Sequence, residues 1–412
     1  MKQGWEIKKL GEIGKVSMCK RVFKEDTTPE GDIPFYKIGT FGKSPDAFIT
    51  KAKYEEFRSK FSFPKKGDIL ISASGTIGRR VRYDGEPAYF QDSNIVWIDN
   101  DEKLVLNDYL YRFYEICNWK STKGATISRL YNDNLKQIEI PFPKSLPEQQ
   151  RIVSILDECF AAIDKALQNA KVCLSLSKAL FESYLQGVFE KKGDGWEEKK
   201  LGDVFEIKPP KKEAREKLSE TDLVTFLPME DLGVCENEIK PEKEKPLKDV
   251  AGSYTYFAEN DVLLAKITPC FENGKLGVAK NLTNGIGFGS SEYIVFRCPE
   301  NIVPEFLFYF LSRESLREEG KKYMSGAVGH KRVSKDWIEN YLFSFPKSLK
   351  EQQTIVRQLD ALRTETQKLE AVYQKKIDDL EELKKSILQK AFAGELRSPE
   401  GAEYDSEAVT PC

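Results

Sequence analysis

The chain has 412 residues, 40% of them hydrophobic, and its 64 basic and 66 acidic residues leave a net charge of −2. At about 100–200 residues per domain there is material for more than one core. The charge balance excludes a strongly basic nucleic-acid binder, so any such contact must come from local patches. The eight cysteines form no C-x-x-C pair and the one histidine, His330, has no companion, which argues against structural zinc and fits a reducing compartment. No apolar run approaches the roughly 18–20 residues of a membrane span and the opening residues hold no signal-peptide core, so a cytoplasmic protein is expected.

Taken along the chain, the first landmark is Gly4-Trp5-Glu6-Ile7-Lys8-Lys9-Leu10-Gly11. Gly67-Asp68-Ile69-Leu70-Ile71-Ser72 follows as a turn and a short apolar strand, then Ser93-Asn94-Ile95-Val96-Trp97 as a second strand. A helix is expected over 107–115. Phe142-Pro143-Lys144-Ser145-Leu146-Pro147-Glu148-Gln149-Gln150 then opens a long helix: Ser145 and Glu148 fit a capping box, and Pro147 sits in the first turn, where a missing N–H costs little.

The whole series then recurs. Gly4-Trp5 returns as Gly195-Trp196, an offset of 191 (195 − 4), and Phe142-Pro143-Lys144-Ser145-Leu146 as Phe345-Pro346-Lys347-Ser348-Leu349, an offset of 203 (345 − 142). Between these frames, Asn260-Asp261-Val262-Leu263-Leu264-Ala265 matches the first strand. Glu292-Tyr293-Ile294-Val295-Phe296 matches the second with Ser93 set against Glu292, and Arg332-Val333 matches Arg129-Leu130. Two constant frames hold two divergent inserts. The expected boundaries are 1–142 and 194–345 for two mixed heads, 143–193 and 346–395 for two long helices, and 396–412 for a tail.

Each long helix carries apolar residues at alternating steps of three and four, a coiled-coil seam. In the first it runs Leu156, Cys159, Ile163, Ala166, Ala170, Cys173, Ser177, Leu180 and Tyr184; in the second Leu359, Leu362, Thr366, Leu369, Tyr373, Lys376, Leu380, Leu383 and Ile387. Neither stripe is wholly apolar, so each helix needs the other or a further partner. At about 1.5 Å per residue, some 43 residues extend on the order of 65 Å.

The ordered set of phrases (GW-x-x-x-x-LG at Gly4 and Gly195, the strand at Gly67, P-x-SL-x-EQQ-x-IV at Pro143 and Pro346, and LQKAF at Leu388) resembles the specificity subunits of type I restriction–modification systems over nearly the whole chain. The resemblance implies an α/β (α+β) fold. Two globular target-recognition domains are separated by two long antiparallel coiled-coil helices, with pseudo-two-fold internal symmetry. It implies that each domain reads one half of a bipartite double-stranded DNA target and that the helices set the spacer. It implies as partners two methyltransferase subunits and, through the complex, motor-nuclease subunits. S-adenosylmethionine and ATP would then sit only on those partners, and this chain would have no cofactor or active site.

A reader needs polar side chains for base edges and cations for phosphates. In the first head the candidates are Ser74, Thr76, Arg79 and Arg80, then Gln91 and Asn94, then Lys123, Thr126 and Arg129. In the second they are Lys266, Thr268, Asn273 and Lys275, then Ser290, Ser291 and Glu292, then His330, Lys331 and Arg332. Each Lys or Arg could equally be a solvated surface residue, and Gly75 to Gly78 a plain turn. Gly285-Ile286-Gly287-Phe288-Gly289 leads into a strand rather than a helix and reads as a plain loop, not a phosphate cradle.

Catalytic signatures are missing from the sequence. Pro209-Pro210 is flanked by lysines, unlike the NPPY motif of amide-modifying methyltransferases, and no Walker loop occurs. Pro45-Asp46 has its nearest downstream acid-x-Lys only at Asp101-Glu102-Lys103, too remote for a nuclease motif. Three alternatives stay open at this point: the recognition subunit of a type IIB-like or orphan modification system, a coiled-coil adaptor that binds proteins only, and an enzyme with an unfamiliar site.

Overall fold

A computed structural model describes residues 3–119, 122–123, 128–130, 132–327 and 329–396. The principal elements of the first repeat are β1 (Trp5–Lys9), β2 (Gly14–Ser17), β3 (Ile69–Ser72), β4 (Arg80–Arg82), β5 (Ile95–Asn100), α1 (Asn107–Phe113), β6 (Glu139–Pro143) and α2 (Leu146–Lys191). Those of the second are β7 (Trp196–Lys200), β8 (Glu206–Ile207), β9 (Val262–Ala265), β10 (Leu276–Val278), β11 (Tyr293–Arg297), α3 (Pro304–Ser312), β12 (Leu342–Pro346) and α4 (Leu349–Phe392). The fold is mixed α/β, built twice, with one long helix closing each repeat.

Both heads have the same central sheet. Its strand order is β2-β5-β3-β4 in the first and β8-β11-β9-β10 in the second, antiparallel throughout. The register corrects the alignment read from sequence by one residue. Leu70 faces Trp97 and Leu263 faces Val295, so Glu292 corresponds to Asn94, not Ser93. A slip of one would have put every side chain of the strand on the wrong face. The inserts differ beyond this sheet. The first head adds a small sheet of Ile33–Tyr36 between Phe48–Ile49 and Tyr89–Phe90, and the second a four-stranded sheet that includes Ile286–Gly289. The glycine-rich segment is therefore itself a strand, and a Cβ on Gly287 would lie 2.1 Å from the Phe257 ring.

The constant phrases are conserved between repeats because they fold on each other. β1 pairs with β6, Trp5 opposite Pro143, and β7 pairs with β12, Trp196 opposite Pro346. One glutamine then fixes the start of each long helix. Gln149, fully buried, donates from Nε2 to the carbonyls of Leu104 (2.8 Å) and Pro143 (2.9 Å), and its Oε1 accepts the Leu106 N–H at 2.9 Å. Gln352, also fully buried, repeats the pattern with Asn301 (3.0 Å), Pro346 (2.9 Å) and the Val303 N–H (2.8 Å). These bonds tie the loop before α1 or α3 to the strand that feeds the helix.

The chain divides into two compact units, residues 1–170 with 375–412, and residues 171–374. Each long helix is thus shared: the opening of α2 and the close of α4 belong to the first unit, the close of α2 and the opening of α4 to the second. Within the first unit, Phe392 packs edge-on against Tyr109 (5.0 Å) and Phe113 (5.5 Å) of α1. Within the second, Phe189 does the same against Phe306 (5.2 Å) and Phe310 (5.3 Å) of α3. All six rings are buried, and burying a Phe contributes about 1.5–3 kcal/mol.

The seam follows the expected heptads over most of each helix and departs from them at particular residues. On α2 the expected residues Leu156, Cys159, Ile163, Ala166, Ala170, Cys173 and Ser177 are all buried or half-buried, and Phe160, Leu167 and Leu174 widen the stripe beside them. After Ser177 the stripe shifts by one residue: Leu180 (51% exposed) and Tyr184 (42%) lie outside the seam, and Phe181 and Leu185 take the inward positions. On α4, Leu359 is buried and Leu362, Tyr373, Leu380 and Ile387 are half-buried, whereas Leu369 and Leu383 are exposed; Ile377 is buried where Lys376 was expected.

Candidate nucleic-acid interface

Three segments distant in sequence meet at the same end of each central sheet, and the same backbone bonds hold them. In the first head the Ala73 N–H donates to the Asn94 carbonyl (2.7 Å) and the Leu130 N–H to the Ala73 carbonyl (2.8 Å). In the second the Lys266 N–H donates to the Glu292 carbonyl (3.0 Å) and the Val333 N–H to the Lys266 carbonyl (2.9 Å). These bonds leave a strand exit, the turn before β5 or β11, and a late loop side by side. The candidate readers on those segments are therefore neighbours in space although 20–66 positions apart in the chain.

The side chains placed on this common clamp differ. In the first head the Ser74 hydroxyl donates to Asn94 Oδ1 at 2.8 Å. In the second, Glu292 grips Arg332: Arg332 Nε donates to Glu292 Oε2 at 2.9 Å and Nη2 to Oε1 at 2.8 Å, while Nη1 donates to the His330 carbonyl at 3.0 Å. Lys266 Nζ donates to the Ser291 carbonyl at 3.0 Å and lies 3.9 Å from Glu292. The guanidinium of Arg332, with help from Lys266, holds the Glu292 carboxyl below its usual range. Ser290 Oγ accepts the Glu292 N–H at 3.2 Å, and the Thr268 N–H donates to the Lys331 carbonyl at 2.9 Å. Ser291, Asn273, His330 and Lys331 are exposed.

Four other candidates make bonds within their own head. Arg79 donates to the Phe41 carbonyl at 2.9 Å. Arg80 pairs with Glu115 at 2.5 Å and stacks 4.5 Å over the Tyr111 ring, sharing that carboxylate with Arg112. Gln91 Oε1 accepts the Ile38 N–H at 2.9 Å. Lys275 Nζ donates to the carbonyls of Met229 (2.7 Å) and Glu230 (3.1 Å). Thr76 is exposed, its carbonyl accepting from Ser72 Oγ, and the Thr268 hydroxyl donates to Glu272 at 2.9 Å. Lys123 and Arg129 lie on a two-stranded ribbon, 122–123 with 128–129. Thr126 falls outside the described residues.

Two polar clusters escaped the sequence reading. One is the pair of buried glutamines, flagged only by the repeat of Glu-Gln-Gln. The other is Arg297, which donates to both oxygens of the buried Asp261 (2.9 and 2.8 Å) and to Glu213 (2.6 Å). Asp261 follows a turn that both heads share, its Oδ2 accepting the Ala258 N–H as Asp68 Oδ2 accepts that of Lys65, each at 2.7 Å. No sequence signal joined Arg297 to it, because the first head has Asp99 at that register. Among the described residues no cluster of His, Cys, Asp and Glu could hold a metal ion, and no helix is long and apolar enough to cross a membrane.

The comparisons with known proteins agree with this duplicated plan. The model of the type I restriction modification DNA specificity domain matches residues 2–171 and again residues 193–381. The Haemophilus influenzae type I restriction enzyme specificity subunit S.HindORF215P is 56% identical over 179 residues, 43% of this chain and 46% of that protein. The EcoAI specificity subunit of Escherichia coli is 33% identical over 196 residues, 47% of this chain and 32% of that protein. The matched part thus spans less than half the length of either relative. In fold, the chain is similar to one solved in work on complex assembly and conformational transition of the type I R-M system (TM-score 0.72, 17% identity, covering 96% of this chain and 99% of that one). It is also similar to the HsdS subunit of Thermoanaerobacter tengcongensis (TM-score 0.55, 19% identity, covering 96% and 98%). Matched by that family model twice, in the order and at the places where the repeats fold, the chain belongs to the family of type I restriction–modification DNA specificity domains.

Proposed function

We propose that this chain is the DNA-reading, non-catalytic subunit of a type I restriction–modification enzyme, each head reading one half of a bipartite duplex target. The observation that carries the reading is the common backbone clamp with unlike side chains on it, Ser74 and Asn94 on one head, Lys266, Glu292 and Arg332 on the other. A constant scaffold presenting different donors and acceptors is what two different half-sites require. A protein-only adaptor would have less use for two unlike heads. The long helices set the spacer and dock two methyltransferase subunits, and motor-nuclease subunits join through that complex. S-adenosylmethionine and ATP belong to those partners, and the assembly works in the cytoplasm. The net charge of −2 implies that the isolated chain binds DNA weakly and that the methyltransferases clamp the duplex.

The test is methylome sequencing of a host expressing this chain with its methyltransferase subunit, against a host lacking only this chain. A bipartite motif that appears only with the chain is expected. An unchanged methylome from a properly assembled complex would favour the protein-only adaptor.

A further inference from the structure

The Glu292–Arg332 pair is set apart by its position. It sits on the three-segment clamp of the second head, and its geometry is bidentate through Nε and Nη2. Arg332 has five N–H donors. Two go to Glu292 and one to the His330 carbonyl. Among the described residues, one N–H on each terminal nitrogen therefore remains without a protein partner. The side chain is 44% exposed, so those donors can reach solvent or a ligand, while Glu292 is only 21% exposed. A second anchor acts on the same carboxylate: Lys266 approaches it at 3.9 Å, and the backbone carrying Glu292 is bonded to that of Lys266.

A guanidinium held from one side by a carboxylate loses little rotamer freedom on binding and presents a planar pair of donors. The acceptor pair that fits such a fork in a DNA major groove is O6 and N7 of guanine. We propose that Arg332 reads a guanine in the half-site of the second head and that Glu292 is its positioning residue. This rests on the reading of the chain as a two-headed DNA reader and adds the base and the residue. The first head carries Asn94 at the position of Glu292, with its Oδ1 accepting from Ser74, so no carboxylate stands there.

The test is the methylome, with motif inference, of hosts expressing the full chain and its methyltransferase subunit as wild type, Arg332→Ala and Glu292→Gln. In the Arg332→Ala strain one guanine of one half-site is expected to become degenerate. Discrimination there should fall roughly 5- to 150-fold, the range for one bidentate base contact, with the other half-site and the spacer unchanged. Glu292→Gln, which keeps the shape but loses the charge, should weaken the same position by less. A merely structural role would lower methylation at all sites without changing the motif, and a phosphate contact would do the same; either result overturns the proposal. A shift at a base other than guanine, or in both half-sites, also overturns it. If the wild-type chain imposes no motif at all, the two-headed reading falls and this proposal with it.

Discussion

Replacing Gln352 with leucine is expected to destabilise the second unit by about 3–5 kcal/mol, and Gln149→Leu the first unit by a similar amount. Each glutamine is fully buried and satisfies three backbone groups at once. Leucine fills the space but leaves an N–H and two carbonyls without partners, and each such orphan costs about 1–3 kcal/mol. The adjoining Gln150 and Gln353 are exposed, so Gln150→Leu and Gln353→Leu should stay within about 0.5 kcal/mol of wild type. Thermal or urea melts of the four variants check this. Equal effects at both glutamines of a pair would contradict the role assigned to the first. The consequence for function is direct, since these bonds join each head to the helix that follows it.

The second large effect is expected at Arg297. Burial pushes the Asp261 carboxyl above its usual range even with Arg297 bonded to both its oxygens. Arg297→Met would strand that carboxylate, which is 2% exposed, and removing one partner of a buried pair costs about 3–5 kcal/mol. The pH dependence identifies the cause. A carboxyl whose folded pKa is raised contributes stability below its unfolded value and loses it as pH rises through the folded value. Without Arg297 that loss deepens, so the gap between variant and wild type should be widest near neutrality. It should narrow on acidification as Asp261 takes up a proton. A gap of constant size from pH 4 to 8 would mean that packing, not charge, is what Arg297 supplies.

How much of this was legible in the sequence follows from what kind of constraint each feature obeys. The repeats were legible because β1 with β6, and β7 with β12, must match each other wherever the frame recurs. The helix starts were legible from the S-x-x-E pairs Ser145 with Glu148 and Ser348 with Glu351. The seam was legible only in part. Around Leu174, Leu176, Leu180, Phe181, Tyr184 and Leu185, apolar residues occur on more than one face of α2, so periodicity alone could not say which of them turn inward after Ser177. The strand register missed by one at Ser93 because the turn before β5 and β11 is polar in both heads and carries no hydrophobic marker. At the candidate interface the three segments were each listed from the sequence, but that they lie side by side was not, because the backbone bonds that join them leave no sequence signal. Which side chains stay outward was not readable, since Arg80 and Lys275 look like DNA-binding cations until Glu115 and the carbonyls of Met229 and Glu230 are seen to hold them.

The central claim is that two unlike heads read two separate blocks of sequence. The most direct measurement is selection of duplexes from a randomised library by the purified complex of this chain with its methyltransferase subunit, followed by sequencing. The account predicts two informative blocks separated by an uninformative gap of constant length, with different sequences in the two blocks. A single contiguous block, two identical blocks, or no enrichment would contradict it.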